Sequence, residues 1–330
     1  MKFTEYMLES YSQPLSPTER THCQNAIRMV SDALKLLGFT DNGEIIRPLV
    51  ADTYAYTIKL LNHKTNREIK LFIQGSYANN TNVRTQSDVD IAVIQEEVFI
   101  PEYRPTWDPQ PQSHADYSFI TPSAPAREFK DEVEECLRRS FGSYVERKDK
   151  SIKVHGNTYR KDADTVPCRR YRDYRKDFRK DETNYIGGIV IFTDSGKMII
   201  NYPEQHIENG RKKNTVTFHH YKKMVRIIKT MRYLMEESKN IIFSSAAKGV
   251  SSFVLESLLW NIEDQWYLEN CRDSDKISSF SKMISCLRTR KPFLRAYKEA
   301  NGIKPLCENE EAYEKLCTFI DALAVFFEHD

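Results

Sequence analysis

The spacing of apolar residues predicts different structures in the first and second parts of the chain. Ser16-Pro17-Thr18-Glu19 has the pattern of a capping box with proline at the first helical position. Apolar residues at helical spacing follow it as far as Gly38, which predicts a helix. A second helix is predicted from Ile45 to Asn62, and the period then changes. Short apolar runs at 69–74 and 88–94 predict strands.

The middle of the chain mixes helical and strand patterns, whereas the end is helical throughout. Six prolines between residues 100 and 125 predict a long surface loop, and Phe129 to Gly142 an amphipathic helix. Strands are predicted at 151–155, 160–168, 187–193 and 198–202, and later helices at 217–238, 252–262, 274–287 and 311–328. We therefore predict an α+β fold, with a mixed β-sheet lobe and N-terminal helix at 1–215 and a helical lobe at 216–330.

Composition and charge narrow the classes of function. The chain has 49 basic and 47 acidic residues, a net charge of +2, so no global field selects nucleic acid. No apolar run is long enough to span a membrane, and the N-terminus lacks a signal-peptide core. The seven cysteines show no paired spacing typical of zinc or disulfide frameworks. We expect a cytoplasmic protein that uses neither a membrane nor nucleic acid as its partner.

Two short motifs carry the clearest chemistry. Gly75-Ser76 follows a predicted strand, and Asp88-Val89-Asp90 opens the next one. Residues two apart in a strand point to the same face, so the two carboxylates aim at one place. Two carboxylates that close repel each other unless a divalent cation lies between them. Gly75 lets a phosphate approach the backbone, and Ser76 can donate to it, so the motifs together predict a triphosphate-and-metal site.

A two-metal mechanism requires a third carboxylate. Asp162 and Asp164 share one face of a later predicted strand. Asp164 adjoins the apolar Val166, which favours a position beside a cleft, whereas Asp162 lies among basic residues and is expected to be solvated. We predict Asp88, Asp90 and Asp164 as the catalytic and metal-binding set.

The combined motifs resemble a known superfamily. Gly75-Ser76, Asp88-x-Asp90 and the distant Asp164 resemble the polymerase-β nucleotidyltransferases. The stretches GSYANNT, SDVDIAVI, DADTVPC and NYPEQHIENGRKKN are similar to the cGAS/DncV-like enzymes, the CD-NTases, and most to their bacterial CdnE-like branch. This resemblance implies a bilobed enzyme with its site in the cleft between the lobes and two Mg²⁺ ions, which Mn²⁺ can replace.

The same resemblance assigns nucleotide-binding roles beyond the carboxylates. Lys229 resembles the helix lysine that holds the donor triphosphate, and by spacing it continues a basic stripe with Lys222 and Arg226. Without the resemblance such a stripe is typical of a solvated helix face. Ser252 would begin a helix whose N–H groups face the γ-phosphate, and Phe253 would stack on a base or pack in the core. Gln74, at the strand end, is a further candidate nucleotide contact.

The resemblance implies a function that the residues alone do not. It is the template-independent condensation of two or more NTPs (ATP, GTP, UTP or CTP) into a cyclic oligonucleotide messenger, with release of pyrophosphate. The implied setting is bacterial antiphage (CBASS) signalling, in which a downstream effector binds the product, and we expect a monomeric enzyme. Two alternatives stay open: a nucleotidyltransferase acting on RNA or another acceptor, and a catalytically dead scaffold that binds nucleic acid.

Two basic segments have competing interpretations. Residues 169–180 (RRYRDYRKDFRK) interleave basic and aromatic side chains, which is typical of a nucleic-acid surface, although the resemblance places part of such a strand at an acceptor pocket. The run Arg211-Lys212-Lys213 is predicted to be a solvated loop.

Overall fold

A computed structural model of the chain describes residues 3–46, 53–64, 67–83, 88–117, 119 and 126–329. The chain forms two compact units. The sheet unit comprises Pro17–Ala78 and Ser87–Glu204, and the helical unit comprises Met1–Ser16, Asn79–Gln86 and Gln205–Asp330. The predicted boundary after residue 215 therefore differs from the division at Glu204, and two short earlier segments belong to the helical unit.

The sheet unit is built on one mixed sheet. Its strands among the described residues are β1 (Thr40–Ile46), β2 (Thr57–Asn62), β3 (Arg67–Gln74), β4 (Val89–Glu102), β5 (Val145–Arg147), β6 (Ile152–Val154), β7 (Ala163–Asp173), β8 (Ile186–Phe192) and β9 (Met198–Asn201). Their order is β1-β2-β3-β4-β7-β6-β5, with β8 pairing with both β7 and β9. The β4–β7 pair is parallel, whereas the other described pairs are antiparallel.

The helices divide between the two units. They are α1 (Glu5–Ser12), α2 (Pro17–Leu34), α3 (Gly75–Ala78), α4 (Ala126–Phe141), α5 (Pro203–Val216), α6 (His220–Glu236), α7 (Ile241–Lys248), α8 (Ser252–Trp260), α9 (Asp264–Asn270), α10 (Lys276–Arg290) and α11 (Glu310–His329). In the sheet unit, α2 and α4 pack against each other and against β4 and β7. The helix predicted after Ser16 is α2, and a 3-10 turn at Lys35–Leu37 continues it. The helical segment stops at Gly38, as predicted, where φ takes a left-handed value of 84°.

The helical unit is organised around α6. This helix packs against α1, α7, α8, α9 and α11. Its Tyr221, Val225, Ile228 and Met231 are fully buried in an apolar core that the neighbouring helices complete. Among the described residues no single helix is long and apolar enough to cross a membrane. The bent pair α7 and α8 meets the length and composition together, across a bend of 74°.

The predicted helix from Ile45 to Asn62 is wrong. The structure has β1 and β2 there, and residues 47–52 lie outside the described part of the chain. The run Thr57–Asn62 pairs with β3 along its whole length, from Thr57 opposite Phe72 to Asn62 opposite Arg67. A short apolar run fits a helix or a strand about equally well, and the neighbouring strand decides in favour of the ladder.

The basic segments are also more buried than the sequence predicts. Arg211-Lys212-Lys213 lies in α5 rather than in a loop, and the Lys213 ammonium pairs with Asp264 at 2.5 Å. The stripe on α6 is not solvated: Lys222, Arg226 and Lys229 are 1%, 5% and 2% exposed. The Arg226 guanidinium donates to the carbonyls of Ser12 and Asn80.

The segment 169–180 is mostly structural rather than a free binding surface. Arg169 and Arg170 are buried, and the Arg170 guanidinium pairs with Glu96 at 2.5 Å. Tyr171 and Tyr174 are buried as well, so both faces of β7 are covered here. Exposed side chains begin only beyond β7, at residues 175 and 176.

A buried arginine joins this segment to the proline-rich loop. The Arg104 guanidinium donates to the carbonyls of Gln110, Arg175 and Asp177 at 2.6, 3.0 and 2.6 Å. Arg104 is 8% exposed. Of the loop predicted at 100–125, the residues up to Glu102 belong to β4 and those at 104–110 are tied to the end of β7, while 118 and 120–125 lie outside the described residues.

Arg104→Ala should destabilise the protein by about 2–4 kcal/mol, because three carbonyls each lose the hydrogen bond from this buried guanidinium. Arg139→Ala is the matched control, since Arg139 makes only an exposed pair with Glu135 one helical turn away. We expect the control to stay within about 0.5 kcal/mol of the parent in urea unfolding followed by circular dichroism. Equal, small losses for the two variants would contradict the anchoring role of Arg104.

Candidate active site

Strand register places four polar positions in one row across the sheet. Gln74 on β3 lies opposite Asp90 on β4, and Asp90 lies opposite Asp164 on β7. Asp164 lies opposite Lys153 on β6. Paired positions in neighbouring strands share a face and are about 4.8 Å apart, so Asp90 and Asp164 are direct neighbours. The parallel β4–β7 pairing thus brings together carboxylates that are far apart in the chain.

A second pair of aspartates lies just before this row. The Val89 N–H donates to the Asp162 carbonyl at 3.0 Å, which places Asp88 beside Asp162. The Lys153 ammonium lies between their side chains, 3.0 Å from Asp88 Oδ2 and 2.7 Å from Asp162 Oδ2. The Gly156 N–H donates to the other Asp162 oxygen at 2.6 Å. Asp162, expected to be solvated, is therefore a paired and partly buried side chain.

Gly75 is required by both its backbone and its surroundings. Its φ of +70° lies in the left-handed region, which glycine adopts without a steric penalty. A Cβ at this position would lie 2.0 Å from Asp90 Oδ2 and 2.8 Å from Asp90 Cγ. Only glycine therefore lets the turn before Ser76 close onto the Asp90 carboxylate. The Gly-Ser motif and the Asp-x-Asp motif meet at this contact.

The environments of Asp164 and Asp162 differ in their effect on charge. Burial raises the pKa of the Asp164 carboxyl, and a hydrogen bond from the Ser151 hydroxyl at 3.1 Å opposes the shift. Burial also acts on Asp162, but the hydrogen bonds from Lys153 and the Gly156 N–H, together with the positive charge of Lys153, outweigh it and lower the pKa of that carboxyl. Asp164 is thus the carboxylate with the stronger affinity for a proton, and it is the direct neighbour of Asp90.

The donor set fits a hard divalent cation, which prefers carboxylate oxygens. Asp88, Asp90 and Asp164 occupy adjacent positions on one face of the sheet. Across the described part of the chain, no three His, Cys, Asp or Glu side chains are already gathered as ligands of one ion. The contact with Lys153 directs one Asp88 carboxylate oxygen toward an ammonium group.

In the helical unit, Lys229 is part of a buried polar network. Its ammonium lies 2.5 Å from Glu256 Oε2 on α8 and 3.1 Å from the Thr81 hydroxyl. Thr81 also donates to Glu256, and His206 on α5 lies 2.9 Å from the second oxygen. Burial alone would raise the pKa of Glu256, but Lys229 and His206 hold it far below its usual range. The Lys229 ammonium therefore forms an ion pair with a buried carboxylate of the same unit.

The start of α8 contains the other predicted contacts. The helix begins at Ser252, as predicted, while Ser251 supplies the cap by accepting from the Val254 N–H at 3.3 Å. Phe253 is partly buried and meets the His206 ring edge-on at 5.1 Å. Arg232 donates from Nε to the Val250 carbonyl at 2.5 Å, just before this helix. Its side chain is 13% exposed, against 3% for that of Lys229.

Sequence reasoning missed several residues that shape these groups. Ser151 and Lys153 alternate on one face of a predicted strand, but their partners depend on a register that the sequence does not contain. Glu256 did carry a signal, since a single carboxylate in the apolar run VLESLLW must be paired when buried. His206 and Thr81 carried no comparable signal.

Comparison with known proteins agrees with this architecture. Residues 208–328 match the family model of the cGAS/DncV-like nucleotidyltransferase C-terminal helical domain. The cyclic GMP-AMP synthase CdnE03 of Staphylococcus schleiferi is 45% identical over 100% of this chain and 98% of its own. The cyclic dipurine nucleotide synthase of Elizabethkingia meningoseptica is 30% identical over 95% of this chain and 100% of its own.

A solved structure extends the likeness to the fold. The Rhodothermus marinus CdnE c-UMP-AMP synthase, with Apcpp and Upnpp, matches at a TM-score of 0.71 and 26% identity, covering 100% of this chain and 99% of that one. Fold and site define a nucleotidyltransferase with a mixed sheet and a helical C-terminal region. The chain belongs to the cGAS/DncV-like nucleotidyltransferases, the CD-NTases, whose members generally use divalent metals.

Gly75→Ala should reduce nucleotide transfer at least about a hundredfold, a barrier increase of about 2.7 kcal/mol, because the new Cβ displaces the Asp90 carboxylate. The matched control is Gly142→Ala, where φ is +56° and no atom lies within 4 Å of the added Cβ. Both variants incur left-handed backbone strain of about 1 kcal/mol, but only the first disturbs a carboxylate. Rates should be measured on folded protein, and equal rates for the two variants would contradict the role of the contact.

Lys229→Met should destabilise the protein by about 3–5 kcal/mol, because it leaves the buried Glu256 charge without its cation. Lys229→Met combined with Glu256→Gln should recover most of that loss, since the amide oxygen still accepts from Thr81. Urea unfolding measures both variants. An intact stability for Lys229→Met, together with a raised KM for NTP, would instead indicate that the ammonium binds phosphate.

Proposed function

We propose that the chain condenses NTPs into a cyclic dinucleotide and releases pyrophosphate at the carboxylate row of the sheet unit. The observation that carries the proposal is the contact between the Gly-Ser turn and Asp90, with Asp164 at the neighbouring position. This arrangement puts backbone donors for a triphosphate next to carboxylates for its counter-ions. An ordinary surface turn would have no reason to close onto a carboxylate.

The donor nucleotide would be held by the Gly75-Ser76 turn. Amide groups at a left-handed turn point outward together and form a concave anion site. Ser76 is partly exposed at the start of α3, so its hydroxyl and N–H can reach a phosphate oxygen. Gln74 is the last residue of β3 and lies in the same row as Asp90, where it can contact the nucleotide.

Asp88, Asp90 and Asp164 would hold two Mg²⁺ ions, which Mn²⁺ can replace. Bound ions of this kind neutralise the triphosphate and make a ribose hydroxyl more acidic. Asp164 would then accept the proton of the attacking 3′- or 2′-hydroxyl, since its carboxylate lies beside Asp90 on the neighbouring strand. Ser151 orients Asp164 through its hydroxyl. The hydroxyl attacks the α-phosphorus in line, and pyrophosphate leaves.

In the helical unit, we propose that Ser252 binds the terminal phosphate and that Phe253 stacks on a base. Backbone N–H groups at the first turn of a helix favour an anion. Lys229 contributes mainly by holding Glu256 and Thr81 in place, and a direct phosphate contact would require its ammonium to leave Glu256. Arg232 also lies near the start of α8, and its side chain is more exposed than that of Lys229.

The product is proposed from the names of the relatives. Three of them are named for cyclic GMP-AMP, cyclic dipurine and c-UMP-AMP synthesis, so these three share a ring of two nucleotides but differ in their bases. The relative with 45% identity is a cyclic GMP-AMP synthase. ATP with GTP is therefore the first substrate pair to test.

The cellular role is proposed from the family resemblance. We propose that the enzyme acts as a monomer in the bacterial cytoplasm and that a downstream effector binds its product in antiphage (CBASS) signalling. All seven cysteines are free thiols, which is consistent with a reducing compartment.

The direct test is incubation of the whole chain with each pair of labelled NTPs and Mg²⁺ or Mn²⁺. We expect a small product that survives phosphatase, because ring closure leaves no terminal phosphate. Asp90→Asn should lower its formation by at least about a thousandfold, or about 4 kcal/mol of barrier. Asp173→Asn is the control, since Asp173 lies on the same strand as Asp164 but at the far end of β7, where it pairs with Arg175.

Four results would contradict the proposal. A long polymer, or label attached to added RNA, would support the alternative transferase that extends RNA. Product formation unaffected by Asp90→Asn would remove the assigned carboxylates from the reaction. A folded protein that binds RNA but makes no product with any NTP pair would favour the scaffold interpretation.

A further inference from the structure

Lys153 lies among the carboxylates and has no part in the mechanism above. Its ammonium contacts Asp88 at 3.0 Å and Asp162 at 2.7 Å, and its backbone position is directly opposite Asp164. The Lys153 side chain is 18% exposed and that of Asp88 is 45% exposed. One partly buried cation therefore faces three carboxylates.

The two ion pairs of Lys153 differ in how firmly each carboxylate is held. Asp162 Oδ1 accepts from the Gly156 N–H at 2.6 Å, and its other oxygen takes the shorter contact with the ammonium. Asp88 is more exposed, and the ammonium holds it through a single oxygen. Asp162 is thus the fixed anchor of the lysine, and Asp88 is the side chain that can be released.

Charge explains why an ammonium group occupies this place. Asp88, Asp90, Asp162 and Asp164 occupy adjacent positions on one face of the sheet, where like charges repel without a cation. Lys153 supplies one positive charge before any metal arrives. A divalent ion that binds Asp88 must compete with the ammonium for the same oxygen.

We propose that Lys153 is a positioning residue that stabilises the metal-free site by pairing with Asp88, and that it yields Asp88 to a divalent metal while staying on Asp162. This inference rests on the proposed function, because it takes Asp88 as a metal ligand. The lysine thereby keeps the carboxylate row assembled in the absence of metal, and it makes metal occupancy weaker than the carboxylates alone would give.

A switch of this kind predicts opposite effects of one substitution. Lys153→Gln removes the resident cation, so the metal-free protein loses stability while its affinity for metal increases. A lysine with only a structural role would lower stability equally with and without metal. It would not raise metal affinity.

The experiment uses the whole chain without nucleotide. Mn²⁺ binding is followed by electron paramagnetic resonance, and thermal unfolding is followed in chelator and in saturating Mg²⁺. For Lys153→Gln we expect half-saturation at a roughly three- to tenfold lower Mn²⁺ concentration than in the parent. Its Tm should fall by roughly 2–6 °C in chelator and return to the parent value in Mg²⁺. Lys153→Arg keeps the charge and should restore the Tm of the parent in chelator.

Lys70→Gln is the matched control. Lys70 lies on the same sheet, its side chain is also 18% exposed, and its ammonium pairs with Glu204 at 3.1 Å. Lys70 lies four residues before Gln74 on β3, about 13 Å along the strand. At ordinary salt concentrations its charge is largely screened from the carboxylate row over that distance. We expect no change in Mn²⁺ affinity for this variant.

Three results would overturn the inference. They are a Mn²⁺ affinity of Lys153→Gln equal to that of Lys70→Gln, an equal loss of Tm in chelator and in Mg²⁺, and a Lys153→Gln protein that is unfolded in chelator and stays unfolded when Mn²⁺ is added. The proposed function fails separately, if Asp88→Asn with Asp90→Asn binds Mn²⁺ as tightly as the parent. The metal site of the proposed function can therefore be correct even if Lys153 does not have this role.

Discussion

Parallel pairing between β4 and β7 is the constraint on which the candidate site depends. It sets Asp90 beside Asp164 and Asp88 beside Asp162, so four acidic side chains share one patch of the sheet. Carboxylates at the spacing of adjacent strands repel one another, and this repulsion must be offset locally. Lys153, Ser151 and the Gly156 N–H all donate to members of the patch. Gly75 leaves the space that Asp90 needs.

The helical unit uses a different solution to the same problem of charge. Glu256 is 1% exposed, and an unpaired carboxylate at such a buried position would be costly. Lys229 and His206 supply positive and hydrogen-bonding partners, and the Thr81 hydroxyl supplies another donor. Thr81 follows the Gly-Ser motif closely in the chain, so the network fixes the segment just beyond that motif. Removing one member of such a buried network leaves the others without partners.

The helix α6 illustrates why a basic stripe is ambiguous. Lys222, Arg226 and Lys229 have the spacing of a solvated face, yet all three are buried. The Arg226 guanidinium binds carbonyls and the Lys229 ammonium binds a carboxylate inside the unit, while the apolar face of the same helix packs into the core. Spacing on a helix identifies a face, but it does not say whether water or protein covers that face.

The sequence by itself determined those features that depend on interactions between residues close together in the chain. Periodicity and capping predict the helix α2 and the strands that flank the motifs. The spacing of neighbouring residues predicts the Gly-Ser turn and the paired carboxylates of Asp88 and Asp90. The tertiary structure decided everything that depends on pairing between distant segments. It made 45–46 and 57–62 strands, placed Asp164 rather than Asp162 beside Asp90, and buried Lys229 against Glu256. Strand register and burial arise from contacts between residues far apart in the chain, and no single segment carries that information.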